Sequence, residues 1–283
     1  MTVHVIIPVH NRLAMTQQVV ACLRRQSGAP PLRMLVVDDG SSDGSGAWLA
    51  AQDDIEVLNG DGSLFWGGAV DLAMRRLFTM AAAADWVLLL NNDVAVGADY
   101  VQQLLAAAGR HAPAAIGSVF FDGAEPARQL STGTRIDAWR LATRDVLADA
   151  GRPTTTDVEV DVLSGRGALY PVAALIASGG MRPRLLPHHL ADFELSLRVR
   201  KAGWRLLAAS AARVFSSDSL AAPQPSPQPS RSRHEDLFSI RSGNYMPAQL
   251  AFWWQAGNWR QRLILPLSYP LLYFIPGLRK LLK

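Results

Sequence analysis

Polar side chains that could bind a nucleotide cluster directly after three apolar runs of the sequence. The clusters are His10-Asn11-Arg12, Asp38-Asp39 and Asn91-Asn92-Asp93. Carboxylates accept the N–H and O–H hydrogens of a base or a ribose, which suits Asp38-Asp39. A carboxylate of the third cluster could hold Mg²⁺ or Mn²⁺ on a diphosphate, because hard oxygen ligands suit these ions. The same residue types also end strands as simple turn formers, and that alternative stays open.

A further carboxylate, Asp192, is predicted near the N-terminal end of a helix. At that place it either caps the first turn, as acidic residues commonly do, or acts as a general base aimed into a crevice. Just before it, His188 and His189 either reach an acceptor or a metal, or form a hydrogen-bonded loop pair. The residues alone do not choose between these alternatives.

Glycines suggest places where the backbone approaches a ligand closely. They occur in Gly60-Asp61-Gly62 and in Gly67-Gly68, which follows a predicted turn. Neither segment matches a phosphate-binding G-x-x-x-x-G-K-[ST] loop or a G-x-G-x-x-G fingerprint. These absences disfavour a P-loop ATPase and a dinucleotide enzyme.

Strands and helices alternate through the first third of the chain. The predicted strands are Val3–Ile7, Arg33–Val37, Ile55–Leu58 and Trp86–Leu90, and the predicted helical faces run from Met15 to Leu23 and from Val70 to Phe78. This order predicts an α/β fold with a mainly parallel, doubly wound (Rossmann-like) sheet. Ligands of such sheets bind in the crevice at the carboxyl ends of the strands, where the polar clusters lie.

The second half is less regular. It contains a predicted strand at Val158–Val162, a helix from Leu190 to Lys201 stopped by Gly203, and a return to strand at Trp204–Leu207. A Pro/Ser-rich stretch at 223–230 has the composition of a linker. We therefore predict a catalytic domain over 1–215, a linker over 216–236 and a C-terminal helical extension over 237–283.

Positive charge is concentrated in that extension. From Leu237 to Lys283 there is no Asp or Glu, and six Arg and Lys side chains give this segment a net charge of +6. The whole chain carries +4, so the first 236 residues carry −2. Aromatic residues and a proline-containing apolar run of about 14 residues accompany these cations, and roughly 20 residues are needed to span a bilayer. The pattern predicts an extension that lies on a membrane surface, or that packs on its own domain or forms a homodimer. Nucleic-acid binding is disfavoured because no such charge lines the domain.

Composition limits the remaining classes. Hydrophobic residues make up 49% of the 283-residue chain, which excludes a disordered or fibrous protein. The single cysteine, Cys22, excludes a disulfide scaffold and suits a reducing compartment. The first residues lack the features of a signal peptide. We therefore expect a cytoplasmic protein, peripheral on the inner face of the plasma membrane.

Six segments resemble, in order and spacing, the family 2 glycosyltransferases with a GT-A fold. They are residues 5–12, 36–41, 62–69, 89–93, 165–167 and 191–204. The resemblance covers roughly residues 2–215. The branch looks like the one containing rhamnosyltransferases and related enzymes of bacterial surface polysaccharides and lipopolysaccharide.

The resemblance implies roles for individual residues. The implied nucleotide-sugar site consists of Pro8, Val9, His10, Asn11, Arg12, Asp39, Asp61, Gly67, Gly68, Asn91, Asn92 and Arg166. Asp93 would ligate a divalent cation, Mn²⁺ or Mg²⁺, and Asp192 would be the general base of an inverting transfer. The implied acceptor residues are Trp66, His188, His189 and Glu194.

Three positions depart from the family pattern. The D-x-D element opens with Asn91, which leaves Asp93 as its only carboxylate. The acidic pair before the base has become Ala191-Asp192. Ser216 follows Val214-Phe215, where many relatives have a metal-binding histidine.

The expected activity is transfer of a sugar from a dTDP- or UDP-sugar, such as dTDP-rhamnose, to a hydroxyl of a lipid-linked or polysaccharide acceptor. The alternatives are a non-catalytic nucleotide-sugar-binding subunit and a nucleotidyltransferase. The latter would need a Gly-rich basic loop after the first strand, where Pro8-Val9-His10-Asn11 stands.

Overall fold

Alternating side chains of the first strand serve two apolar cores, one on each face of a sheet. In the computed structural model, which describes residues 1–147, 153, 155–216 and 233–274, Ile6 packs with one helical layer while Val5 and Ile7 pack with the other. Successive side chains of a strand point to opposite faces, so an uninterrupted apolar strand must be covered on both sides. The sheet is accordingly covered by helices on both faces, as in the doubly wound fold that the sequence predicts.

Twelve strands occur among the described residues. They are β1 (Val3–Val9), β2 (Leu32–Asp38), β3 (Ile55–Asn59), β4 (Trp86–Leu89), β5 (Val94–Val96), β6 (Ala114–Asp122), β7 (Gln129–Ser131), β8 (Thr134–Asp137), β9 (Ala142–Asp145), β10 (Val158–Glu159), β11 (Ala168–Pro171) and β12 (Arg205–Ser216).

Nine helices occur in the same part of the chain. They are α1 (Leu13–Arg24), α2 (Ser45–Ala50), α3 (Phe65–Phe78), α4 (Tyr100–His111), α5 (Val172–Ser178), α6 (Ala191–Lys201), α7 (Arg233–Phe238), α8 (Met246–Ala256) and α9 (Trp259–Phe274).

The main sheet has the strand order β10-β12-β6-β11-β4-β1-β2-β3, with β5 and β7 as short additions to β12 and β6. Strands β3, β2, β1 and β4 are parallel, and β6 and β12 are parallel, while β11 joins the two groups in antiparallel orientation. Strands β8 and β9 form a separate hairpin. The mainly parallel sheet confirms the predicted fold class.

Strand β1 continues through Pro8, which we expected to end it. Pro8 pairs with Val37 of β2, whereas β4 accompanies β1 only as far as Ile6. A proline is tolerated here because one side of the strand no longer has a neighbour that needs its N–H.

Helix α3 begins at Phe65 rather than at Val70, so Gly67 and Gly68 lie in its first turn and not in a loop. A Cβ on Gly67 would lie 2.5 Å from the carbonyl oxygen of Leu186. The glycine therefore allows the chain segment at 186–187 to pack against the helix. This close approach, which we expected to serve a ligand, is used by the protein itself.

The predicted strand at 158–162 is shorter than expected. Strand β10 ends at Glu159 because Asp161 turns to other partners, donating from its amide to the carbonyl of Thr134 and pairing its carboxylate with Arg200. Strand β12 is longer than expected and reaches Ser216. After α6, Gly203 adopts a φ of 102°, in agreement with the predicted helix stop.

Helix α8 packs on α6, and α7 and α9 contact α8. The rings of Phe252 and Phe193 lie 6.3 Å apart, and the Lys201 ammonium donates to the carbonyl of Gln255 at 2.7 Å. Most of the predicted linker, residues 217–232, and the basic end of the extension lie outside the described residues. No helix in the described part of the chain is long and apolar enough to cross a membrane.

Candidate functional site

Asp39 ties the end of β2 to the start of α3. Its buried carboxylate accepts hydrogen bonds from the amides of Gly62 at 2.8 Å and Phe65 at 3.1 Å. Its carbonyl oxygen accepts a third bond from Nδ1 of His10 at 2.6 Å. Asp39 therefore organises the loop on which the predicted nucleotide residues lie, and each carboxylate oxygen keeps one lone pair for a ligand.

The segment after β1 has an unusual backbone. Asn11 and Arg12 adopt φ angles of 60° and 65°, a left-handed conformation that costs a non-glycine residue free energy. Ser41 and Ser42 hold it in place: the Asn11 amide donates to the Ser41 hydroxyl at 2.7 Å, and the Asn11 side-chain oxygen accepts from the Ser42 amide at 2.9 Å. Strain maintained by specific contacts is typical of functional loops.

Pro8 and Val9 precede this segment as part of β1. Val9 is buried, and its carbonyl accepts a hydrogen bond from the amide of Asp39. It can reach a ligand only through its main chain. Asp61 is exposed beside Gly62, and hydrogen bonds from Ser63 lower the pKa of its carboxyl, so that it is ionised at neutral pH.

The three residues after β4 have three different environments. Asn91 accepts a hydrogen bond from the Trp66 indole N–H at 2.9 Å. Asn92 is buried and donates to the Thr16 hydroxyl on α1 at 3.0 Å, which is a structural contact. Asp93, only 7% exposed, pairs through Oδ2 with the Arg12 guanidinium at 3.1 Å, while its Oδ1 is buried without a hydrogen-bond partner.

That unpartnered oxygen is the strongest sign of a cation at this place. A buried acceptor without a donor is costly, and a metal ion would satisfy it. Ser216, at the end of β12, pairs in the sheet with Val94 and so lies beside Asp93. No cluster of three or more His, Cys, Asp or Glu side chains that could hold a metal occurs among the described residues. Asp93 fits a cation that is bound mostly by a ligand's own oxygens.

Asp192 is the second residue of α6, and both of its carboxylate oxygens accept main-chain hydrogen bonds. Gly165 donates to Oδ2 at 2.8 Å and Phe193 donates to Oδ1 at 2.9 Å. Burial raises the pKa of the Asp192 carboxyl, and these amides together with the Arg166 charge offset part of the rise. A raised pKa suits a base that must take up a proton, and each oxygen keeps a lone pair for that purpose.

Trp66 joins the separate clusters. Its indole N–H binds Asn91, and its ring lies against Gly165, where an added Cβ would overlap the ring. Phe65, the preceding residue, binds Asp39 through its amide. The first turn of α3 thus contacts the end of β2, the residues after β4 and the loop that holds Asp192.

The histidine pair borders the same turn. The Gly67 amide donates to the carbonyl of Pro187 at 2.8 Å, and the His188 ring lies 6.0 Å from that of Phe65. Burial, with the nearby charges of His189 and Arg241, lowers the pKa of His188 to about 4, so it is neutral at physiological pH. His189 is exposed, with Nε2 3.4 Å from the carbonyl of Arg241.

Glu194 does not support the acceptor contact that we expected. It is 2% exposed, and both carboxylate oxygens accept hydrogen bonds from Arg198 at 2.8 Å. Arg198 in turn donates to the carbonyls of Ser178 and Gly180. Glu194 lies one helical turn before Arg198, and the two side chains form a buried ion pair. Through Arg198 this pair joins α6 to the end of α5, and both Glu194 oxygens are already bound within the protein.

The sequence did not single out Gly165 and Phe65 as functional positions. Both donate hydrogen bonds from their main-chain amides, to Asp192 and Asp39 respectively. Every residue type except proline has such an amide, so the residue type does not reveal this role. The only clue to Gly165 was its place in the motif Gly165-Arg166-Gly167. Arg166 itself has one terminal nitrogen, Nη1, that is buried without a hydrogen-bond partner.

Solved glycosyltransferase structures share the fold at low sequence identity. GalNAc-T7 with UDP, GalNAc and Mn²⁺ superposes with a TM-score of 0.60 at 14% identity, over 76% of this chain and 44% of that one. TarS of S. aureus gives 0.56 at 15% identity, over 77% and 37%, and a further TarS structure contains UDP-GlcNAc. A mannosyltransferase of Pyrobaculum calidifontis with GDP-Man and Mn²⁺ gives 0.55 at 14% identity, over 97% and 81%.

The chain spans less than half the length of the first two of these proteins. No curated protein sequence matches it. The family model described as glycosyl transferase family 2 matches residues 4–175, which is more than half of the chain. With the GT-A fold and this arrangement of residues around α3, the chain belongs to glycosyl transferase family 2.

Proposed function

We propose that this protein transfers a sugar, with inversion, from a nucleotide-sugar donor to a hydroxyl group of a lipid-linked or polysaccharide acceptor. The first turn of α3 carries the proposal, because it links Asp39, Asn91 and, through Gly165, Asp192. These residues are far apart in the sequence, and one turn of helix connects them. A site that binds a nucleotide at one end and holds a base at the other is what such a transfer needs.

The donor end consists of the segment from His10 to Arg12 and of Asp39. Arg12 provides positive charge at Asp93, beside the place where a diphosphate would lie. Asp93 Oδ1 would hold Mn²⁺ or Mg²⁺ together with phosphate oxygens and water, as Mg²⁺ commonly binds. Such an ion neutralises charge that develops on the departing diphosphate. Relatives of similar fold contain UDP-GlcNAc, or GDP-Man with Mn²⁺, which supports a nucleotide-sugar donor.

The acceptor end is assigned to Asp192. The acceptor hydroxyl oxygen forms a bond to the anomeric carbon, the bond from that carbon to the diphosphate oxygen breaks, and Asp192 takes the hydroxyl proton. Direct displacement inverts the anomeric carbon. Trp66 and the neutral His188 flank this end of the site, where a ring surface and a hydrogen-bonding nitrogen suit a sugar. A donor such as dTDP-rhamnose and a role in bacterial surface-glycan synthesis belong to this proposal as its most specific form.

The C-terminal extension would hold the enzyme on a membrane that contains its acceptor, at the cytoplasmic face of the plasma membrane. Trp259, Leu263 and Leu267 of α9 expose most of their surface, and Arg260 and Arg262 lie over the rings of Trp259 and Trp254. Exposed apolar side chains beside cations suit the interface of an anionic bilayer. A homodimer through the same face is the alternative that must be tested.

A non-catalytic nucleotide-sugar-binding subunit is the second candidate. Ala191 and Asn91, which replace carboxylates of the family pattern, favour it. The two functions differ in the effect of Asp192→Asn on the purified chain.

The experiment titrates UDP-, dTDP- and GDP-sugars by thermal shift with and without Mn²⁺, and then measures donor hydrolysis or transfer. A donor that binds the folded state raises the midpoint of unfolding. We expect Asp192→Asn to reduce turnover by about 100- to 10 000-fold with donor binding retained. Turnover that is absent in the natural chain despite donor binding would instead support the binding subunit. Exposed Asp53, changed to Asn, is the matched control.

A further inference from the structure

A cleft of about 410 Å³ lies beside the loop that holds Asp192. Its walls come from β6, the β7–β9 region and the segment from Val160 to Arg166, with Phe193 at one side. The cleft is connected to the proposed base in two ways. Gly165, between two lining residues, donates to Asp192, and Phe193 is the next residue of α6.

Residues predicted to bind the nucleotide do not line this cleft, with the single exception of Arg166. The clusters at His10–Arg12, Asp39 and Asn91–Asp93 are absent from its walls. The cleft therefore adjoins the base and is separate from the residues of the donor end. That position is suited to the molecule from which Asp192 takes a proton.

Arg166 is the residue of the cleft that indicates which chemical group of a ligand would bind there. Its Nη1 atom is buried without a hydrogen-bond partner, although a guanidinium has five N–H donors and cannot lose its charge. An unpaired buried donor costs free energy, so this nitrogen is suited to a ligand acceptor. A carboxylate or a phosphate is the best match, because a guanidinium binds either of them with two parallel hydrogen bonds.

Asp145 also lines the cleft, but both of its carboxylate oxygens already have hydrogen-bond donors. Its oxygens accept hydrogen bonds from the Ser131 hydroxyl, from the Thr132 amide at 3.1 Å and from the Leu147 amide at 2.7 Å. Among the described residues that line the cleft, the buried side-chain atom without a hydrogen-bond partner is therefore Nη1 of Arg166. Hydroxyl-bearing Thr134 and Ser164 and the ring of Phe193 complete a wall that suits a sugar.

We propose that this cleft binds an acidic sugar unit of the acceptor, whose carboxylate or phosphate is held by Arg166. This inference rests on the proposed glycosyl transfer, since it names the class of acceptor for the same reaction. It also reassigns Arg166 from the donor diphosphate, which the sequence resemblance implied, to the acceptor.

The test measures binding of three probes by calorimetry: methyl glucuronide, glucose 6-phosphate and methyl glucoside. A charged hydrogen bond is worth about 1.5–3 kcal/mol, so we expect at least one acidic probe to bind about tenfold or more tightly than the neutral one. The tighter of the two acidic probes identifies carboxylate or phosphate as the natural group. Arg166→Gln should abolish the preference, and Arg166→Lys should retain part of it.

The control is Arg128→Gln, which removes an equal charge from an exposed ion pair with Asp122 and should leave the preference intact. Equal binding of all three probes to the natural chain would overturn the proposal. The proposal would also be overturned if Arg166→Gln still preferred the acidic probes to methyl glucoside. The same holds if that variant lost UDP binding but kept its preference for the acidic probes. Unfolding midpoints confirm that the variants fold. Donor binding by the natural chain is measured separately, so failure of the transferase function is distinguishable from failure of this assignment.

Discussion

The amide of Gly165 donates a hydrogen bond to Oδ2 of Asp192 over 2.8 Å, so the loop between β10 and β11 holds the carboxylate at the start of α6. A main-chain amide is a rigid donor, and it favours the ionised form of the acid that it binds. Asp192 thus combines burial, which raises its pKa, with a contact that keeps it oriented. This combination suits a base that takes up a proton during the transfer.

The dependence of turnover on pH should report the protonation of the Asp192 carboxyl. Below its pKa the carboxyl is protonated and cannot accept the acceptor's proton, so kcat/KM should fall as the pH is lowered. Because burial raises that pKa, the midpoint of the acid limb should lie above 3.8, the ordinary value for an aspartic acid. Initial rates over a series of buffers of constant ionic strength check this, and a profile that stays flat down to pH 3.8 would count against Asp192 as the base.

Gly165→Ala should lower both the free energy of unfolding and the turnover. The added Cβ would overlap the Trp66 ring, so either the loop or the indole must move. We expect a loss of about 1–3 kcal/mol in the free energy of unfolding and a larger relative loss of turnover. Denaturant unfolding and initial rates measure the two effects.

Gly109→Ala is the control for that change. Gly109 lies in α4 with nothing near its missing Cβ, so alanine there should leave turnover unchanged and stabilise the helix by about 0.4–1 kcal/mol. Equal effects of the two substitutions would mean that the Trp66–Gly165 contact does not matter.

Asp39→Asn should loosen the loop between Gly60 and Phe65. The Asn side chain has only one oxygen, so its NH₂ group would face either the Gly62 or the Phe65 amide, which are both donors. The negative charge that accepts these two hydrogen bonds is also lost. We expect a decrease of about 1–3 kcal/mol in the free energy of unfolding and weaker nucleotide binding. Denaturant unfolding and calorimetric titration measure these effects, with Asp53→Asn as an exposed control. Unchanged stability would show that the loop does not depend on Asp39.

Membrane association should depend on α9. Leu263 and Leu267 are 70% and 78% exposed, and burying each in a bilayer interface is worth about 1.5–3 kcal/mol at most. Changing both to Gln should reduce co-sedimentation with phosphatidylglycerol vesicles by tenfold or more, while nucleotide affinity stays the same. Ile176→Gln, on the exposed side of α5, is the control.

The dimer alternative predicts something different for the same double variant. Light scattering would then give twice the chain mass for the natural protein and the single mass for the variant, with no dependence on vesicles. Retained co-sedimentation in the double variant would contradict the membrane role of α9.

The sequence by itself determined the architecture and its first polar clusters. Apolar periodicity along β1, β2 and β4 and along α1 and α3 depends on neighbours only a few residues away, so it can be recognised locally. The order of strands and helices then implies that polar residues after β1, β2 and β4 meet at one edge of the sheet. That reasoning singled out Asp39 and Asp93, whereas the role of Asp192 was implied by the resemblance of residues 191–204 to the family motif.

Only the tertiary structure decided how these residues are used. The Trp66 contacts with Asn91 and Gly165, the packing of Gly67 against residues 186–187, and the burial of Glu194 with Arg198 depend on which loops meet. The cleft beside Asp192 likewise needs β6, the β8–β9 hairpin and Arg166 together. Such contacts are set by the packing of the whole chain, where steric fit between distant segments decides the partner, and no local pattern encodes that fit.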